Sequence, residues 1–299
     1  MIIGLLYLLF WQVAPRIHSV ALGTVLLSTL ISLALVILVA AETGRICVTT
    51  RTAVISLMIS GGLILPLRFL VAANSKFTPL PWSLLLHVPG LPDLLFIWFA
   101  GSLGALLSRM LRSTNLIPPV AAVLALVDIW TVLLGGPVQK IMQSQNPAAQ
   151  AVTRAMTVKL PAPSPPAGAE PMSTQVGFAD FLFVAFFSAA ITRFVGSRRV
   201  YLRMCWVMVV VLGLYMIVVF VFGWNLPALV PMSVVMLALH WRYFHYDRSE
   251  AFAMLYAGLF IAAIACGFWY FSRHSEDAKN KELDSGPHAR VRIQQQNLS

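Results

Sequence analysis

Charge is scarce in this chain. Only 11% of its 299 residues are Asp, Glu, Lys or Arg, against about 25% in an ordinary soluble domain. So few charges cannot cover a soluble globule, and with 59% apolar residues the chain is too hydrophobic to be disordered. The mean hydropathy of +0.82 agrees. Cysteine is rare as well. Cys47, Cys205 and Cys266 lie far apart in or beside apolar runs, which points away from a disulfide framework and from a zinc site. Of the two signs of charge the acids are the scarcer, 11 against 21 Lys and Arg, for a net charge of +10. The basic residues are scattered between apolar runs instead of gathered on one soluble face. That speaks against nucleic acid as a partner and for cytoplasmic loops of a membrane protein.

What the sequence has in abundance is long apolar runs: Ile2 to Ala14, Val20 to Ala41, Thr52 to Ala73, Leu94 to Leu111, Leu116 to Leu134, Val176 to Val195, Leu202 to Phe222, Leu226 to Trp241 and Ala251 to Phe271. A spanning helix needs roughly 17–25 apolar residues, so the expected fold is an all-α, multi-pass bundle of about nine transmembrane helices. The first run is short and has no Lys or Arg ahead of it, unlike a secretory signal peptide; it is expected to be a short or tilted span. The organisation expected is about four N-terminal spans in 1–115, a core in 116–241, a further span in 242–271 and a disordered tail over 272–299. Asn74 to Asp93, with Pro79, Pro81, Pro89 and Pro92, is expected to be a loop anchored at the interface by Trp82. A Pro-rich loop over 137–174 contains "LPAPSPPAGAEP", through which a helix cannot run. Inside it, "TVKL" (Thr157 to Leu160) is predicted to form a short strand. Arg198, Arg199 and Arg203 flank the connection after the sixth run, and "GWN" after the seventh carries no positive charge. The former is therefore expected in the cytoplasm, and the long loop outside.

Of the acids, two stand within apolar runs: Asp128 in "LALVDIWTV" and Asp180 in "GFADFLF". An aspartate near a helix centre costs about 2.5–3.5 kcal/mol on insertion scales, so two of them imply a purpose. Asp128 precedes the end of its run and Asp180 follows the start of the next, at roughly 9 Å and 6 Å from one membrane face at 1.5 Å per residue. If these consecutive helices pack side by side, the two carboxyls meet and share a proton. An aspartic protease needs that pair: one carboxylate takes a proton from water while the other, protonated, polarises the peptide carbonyl. The same acids would also serve proton-coupled transport, or pair with Arg68 or Arg193 for packing.

Three stretches in order, "VDIWTVLLGGPVQKIMQSQ", "GFADFLFVAFFS" and "NLPALVPMSV", resemble the presenilin and signal peptide peptidase family of intramembrane aspartyl proteases. That family carries an aspartate on one helix, Gly-x-Gly-Asp on the next and Pro-Ala-Leu two helices later. Gly136, Pro137 and Ser233 look more like presenilin than signal peptide peptidase. The resemblance implies that Asp128 and Asp180 are catalytic, and that Gly177, Phe178 and Ala179 with Pro227, Ala228 and Leu229 contact the substrate. It also implies transmembrane-helix substrates in the bilayer, with no cofactor and no metal. Pro227 would disrupt its helix and free backbone groups to which an unwound substrate could add as a strand. The chain departs from the family at Val127, where Tyr or Trp is usual, and at Ala179, which replaces the second motif glycine. Five spans precede Asp180 where the family has six, and a further helix follows the Pro-Ala-Leu helix.

Other chemistries are poorer fits. Ser102 and His240 are the candidates for a serine protease, but Gly101, Gly104, Ala105 and Ser108 read better as a small-residue packing face. His240 and His245 have the wrong spacing for a zinc pair on one helix. The expected activity is intramembrane aspartic endopeptidase. The alternatives are a non-catalytic presenilin-like membrane protein, favoured by Ala179, and a proton-coupled transporter, which would show repeated halves. No internal repeat is visible.

Overall fold

The computed structural model describes residues 2–17, 22–47, 49–72, 88–133, 155–161, 163, 175–222, 227–244 and 246, with isolated positions between 252 and 267. Contacts divide the chain into two units, Met1–His245 and Tyr246–Ser299. The first contains α1 (Ile2–Val13), α2 (Leu22–Ile46), α3 (Thr50–Ala72), α4 (Leu91–Leu107), α5 (Ile117–Leu133), β1 (Thr157–Lys159), β2 (Gln175–Gly177), α6 (Phe178–Phe194), α7 (Arg198–Phe222) and α8 (Leu229–His240). The described residues are thus mostly helical. Five segments are long and apolar enough to cross a membrane: Gly23–Ile46, Thr50–Arg68, Leu91–Met110, Thr114–Val132 and Arg198–Phe222. α1 and α8 have 12 residues each and α6 has 17. At 1.5 Å per residue α8 covers only about 18 Å, well short of a full crossing. The run Ala251 to Phe271, the loop over 134–154 and the tail over 272–299 fall almost entirely outside the described residues.

α6 is the centre of the first unit. It packs against α4 and α2, while α3 lies against α4, and α7 bridges α2 and α8. Phe181, Leu182 and every residue from Val184 to Ile191 are buried, as expected of a helix that is apolar all round. Glycines permit its close approach to two neighbours. A Cβ on Gly104 of α4 would strike the Leu182 carbonyl, and one on Gly44 of α2 the Ala185 carbonyl. Gly101 faces Thr43, whose Cγ2 would be 2.9 Å from such a Cβ. The small-residue face expected on α4 is therefore a contact surface, with α6 and α2 as its partners. Trp206, Val210, Leu214 and Val221 of α7 are exposed, the apolar stripe that a lipid-facing helix presents.

Three element boundaries and one helix pairing depart from the sequence expectation in ways that bear on the site. α2 continues beyond Ala41 to Ile46, and there the partly exposed Glu42 pairs with Arg45 at 3.1 Å and accepts from the Tyr201 hydroxyl of α7 at 3.1 Å. α4 begins at Leu91, not Leu94. Gly90 takes a left-handed turn (φ +79°), and Pro92 occupies the first helical turn, where its missing N–H costs nothing. Asp93, expected at the end of a loop, therefore belongs to a membrane-length helix. α6 starts at Phe178 because Gln175–Gly177 is extended. Finally, α5 and α6, consecutive helices, do not pack extensively side by side. α5 lies on α8 instead.

The polar end of the bundle is formed where α2, α4 and α6 finish together. Arg109 donates to the Cys47 carbonyl at 3.3 Å, and Arg193 to those of Leu111 at 3.1 Å and Ser108 at 3.4 Å. Asp180 is at the other end of α6, and Asp128 lies near the end of α5 that α6 follows.

The glycine contacts generate a test. Gly104→Leu should lower the thermal midpoint in detergent, because overpacking costs about 1–3 kcal/mol. Gly62, beside which a Cβ meets nothing within 4 Å, should accept alanine with no loss of stability. Equal midpoints for the two variants would contradict the close packing of α4 on α6.

Candidate active site

β1 and β2 pair antiparallel, with Thr157 opposite Gly177, Val158 opposite Val176 and Lys159 opposite Gln175. The strand expected at "TVKL" is present, and its partner is the segment that runs straight into α6. Phe178 N–H donates to the Met156 carbonyl at 3.0 Å, closing the ribbon where the helix begins. Val158 and Leu160 are buried. The far end of β1 is tied to α2, because Ser28 and Ser32 both donate to the Pro161 carbonyl, at 3.2 and 3.0 Å.

Asp180 lies in the first turn of α6. Its Oδ2 accepts the N–H of Gly177, the helix-capping residue, at 3.2 Å. That N–H is one of the donors a helix start leaves without an internal partner. The extended strand, the glycine cap and the carboxylate thus form one continuous local structure. Phe178 packs its ring against Phe96, at 5.4 Å between centroids, and Phe99, at 6.0 Å. Ala179 is exposed, so its methyl group is not wedged between helices.

Asp128 is half-buried near the end of α5. Its Oδ2 accepts the N–H of Leu229 at 2.7 Å. Leu229 is the first residue of α8, and its amide is again a helix-start donor. Pro227 is buried just ahead of it. Farther along α8, Ser233 Oγ donates to the Ala121 carbonyl of α5 at 3.0 Å. Two hydrogen bonds therefore fix α8 on α5. The Asp128 and Asp180 carboxyls interact electrostatically with one another, and both interact with Tyr215 on α7. Stretches around residues 128, 180 and 229 thus converge at one end of the bundle. Val127, 45% exposed, sits beside Asp128 at that end.

Several residues singled out from the sequence are not brought together. Ser102 Oγ is 2.8 Å from Ser56 Oγ on α3, while His240 Nδ1 is 3.0 Å from the Met236 carbonyl of its own helix. Ser102 and His240 form no nucleophile–base pair. Arg68 binds Asp93, and Arg193 binds carbonyls at the opposite end, so neither neutralises Asp128 or Asp180. Among the described residues no three His, Cys, Asp or Glu side chains cluster as metal ligands. Gly136 and Pro137 lie outside the described residues. Tyr215, Asp93 and strand β2 were not anticipated. Tyr215 looked like one more residue of an apolar run, and Pro92 made Asp93 look like part of a loop.

Comparison of the chain with protein-family models, with curated proteins and with solved structures gives no match.

The Asp128–Leu229 bond makes a prediction about stability. Asp128→Asn retains an oxygen to accept the Leu229 N–H, whereas Asp128→Leu leaves that amide unpaired. An unpaired buried donor costs about 1–3 kcal/mol, so the leucine variant should melt at a clearly lower temperature than the asparagine variant in detergent. Identical midpoints would mean that the carboxylate does not hold α8.

Proposed function

We propose that this chain is a multi-pass intramembrane aspartic endopeptidase. It is similar in kind to the presenilin and signal peptide peptidase family, with a bundle of about nine membrane helices. The observation that carries the reading is the hydrogen bond from Leu229 N–H to Asp128 Oδ2. It joins the Pro-Ala-Leu element to the first aspartate, 101 residues away in sequence, and α8, which begins at that element, also touches α6, which carries the second aspartate.

In this reading one carboxylate, as its anion, takes a proton from water. The resulting hydroxide oxygen bonds to the carbonyl carbon of the scissile peptide. The other carboxyl gives its proton to the carbonyl oxygen, and a tetrahedral gem-diol forms. Collapse of the diol breaks the C–N bond. The amide nitrogen takes up a proton from the first carboxyl, and the second regains one from a diol hydroxyl. The products are a free acid and a free amine. The β1–β2 ribbon supports a substrate unwound into a strand, since extended backbone in a membrane needs partners for its polar groups. The exposure of Ala179 supports an active enzyme over a non-catalytic relative, because its methyl does not separate the helices that carry the aspartates.

The test is cleavage of a reporter transmembrane helix by the purified full chain in detergent. Wild type should cleave, and an aspartyl transition-state analogue should block it. Asp128→Ala and Asp180→Ala should each abolish cleavage, and Ala179→Gly should change the rate by less than roughly tenfold, about 1.4 kcal/mol in barrier. Retention of a tenth of the activity by either aspartate variant would overturn the paired-carboxyl mechanism.

A further inference from the structure

A second acid–base pair stands beside the ribbon, apart from the two aspartates. Arg68 closes the membrane-length part of α3, and its Nη2 is 3.0 Å from Asp93 Oδ1 in the first turn of α4. Its Nη1 donates to the Thr157 carbonyl at 3.0 Å and to the Ala155 carbonyl at 3.4 Å. The guanidinium also lies over the Phe96 ring, 4.3 Å from its centroid, and Phe96 packs on Phe178. One side chain therefore touches β1 directly and, through Phe96, the residue between Gly177 and Ala179.

The pairing register decides which edge of the ribbon this contact occupies. Val158 pairs with Val176, and Met156 accepts from Phe178. In an antiparallel pair, alternate residues turn their backbone groups toward the partner. Met156 and Val158 thus face β2, and Ala155 and Thr157 turn their carbonyls away from it. Those outward carbonyls are the ones Arg68 binds. On β2 the outward residues are Gln175, which is exposed, and Gly177, whose N–H already points to Asp180.

We propose that Arg68, braced by Asp93, is a positioning residue that occupies the outer edge of β1 and fixes the ribbon, so that an incoming strand adds to β2 next to Asp180. The proposal rests on the protease reading for the identity of that strand, but not for the geometry of the clamp. Arginine suits the role because its planar fork binds a carboxylate and carbonyls together. A lysine offers one compact ammonium and no stacking face. Ser28 and Ser32 hold only the Pro161 end of β1, so without the fork the Ala155–Thr157 end keeps its bonds to β2 and α6, Phe178 N–H to the Met156 carbonyl and Thr157 Oγ1 to the Gln175 side chain, but loses its tie to α3 and α4.

The test pairs a geometric readout with a kinetic one. Thr157→Cys and Gly177→Cys, directly opposed at the end of the ribbon that Arg68 holds, are introduced together with Cys266→Ser, since Cys266 is the exposed natural thiol while Cys47 and Cys205 are buried. Disulfide formation between them is timed in full-length protein carrying Arg68, Arg68→Lys or Arg68→Met. Both replacements should slow cross-linking by about tenfold or more. In the chain with its natural cysteines, Arg68→Lys should raise KM for the reporter helix by about tenfold, while inhibition by a small aspartyl analogue, which touches the carboxyls and not the ribbon, changes by less than about twofold. Should Arg68→Met fail to fold, Arg68→Lys decides, because it keeps a cation beside Asp93. Wild-type cross-linking and unchanged KM in Arg68→Lys would overturn the clamp, as would collapse of both variants, which would make Arg68 merely structural. Normal cross-linking in a wild type that cleaves nothing would instead overturn the protease reading and leave the clamp standing.

Discussion

A backbone amide with no partner cannot be left in a membrane, and at the start of α8 the amide of Leu229 finds its partner in the side chain of Asp128. The rest of the site depends on that bond. It draws α8 onto α5, where Ser233 adds a second tie to Ala121. It also holds a carboxylate at the end of the bundle where α6 begins. The same solution recurs at α6, whose capping glycine gives its N–H to Asp180. Each aspartate thus meets a helix start, where backbone donors are free and favour negative charge. An acid that would be costly deep in a lipid-facing helix gains hydrogen bonds here, and so does the helix.

The second constraint is steric. α6 can bring Asp180 to that end only if it sits deep between α2 and α4, and Gly44 and Gly104 make room for its backbone carbonyls. The ribbon adds the third. Two strands of three residues each are too short to persist alone, and they are held by what surrounds them: the α2 serines at Pro161, Arg68 at Thr157 and the aromatic ring of Phe178. Buried polar side chains in this bundle therefore mainly hold backbone carbonyls in place. Ser188 follows the same pattern, donating to the Ala41 carbonyl at 2.7 Å.

Much of this was legible from the sequence, for physical reasons. Apolar runs between α2 and α7 correspond to helices because a membrane-length segment must satisfy its backbone internally. Asp128 and Asp180 stood out because acids are rare in such runs. "TVKL" was readable as a strand from its β-branched centre and Pro-rich flank. Adjacency was harder to read. Chain order suggested that α5 and α6 pack together, whereas α5 packs on α8, because Leu229 and Ser233 supply donors that match acceptors on α5. Asp93 was missed because proline usually signals a break, yet at a helix start proline fits. β2 was missed because its three residues resemble the beginning of the helix that follows.

The central claim is that Asp128 and Asp180 act together on one substrate carbonyl, with Leu229 N–H on the Asp128 carboxylate. A structure determined with an aspartyl transition-state analogue bound addresses it directly. The account predicts that the analogue's hydroxyl lies between the two carboxyls, within hydrogen-bonding distance of both, and that its backbone runs alongside β2. Binding of the analogue elsewhere, or carboxyls too far apart to share its hydroxyl, would contradict it.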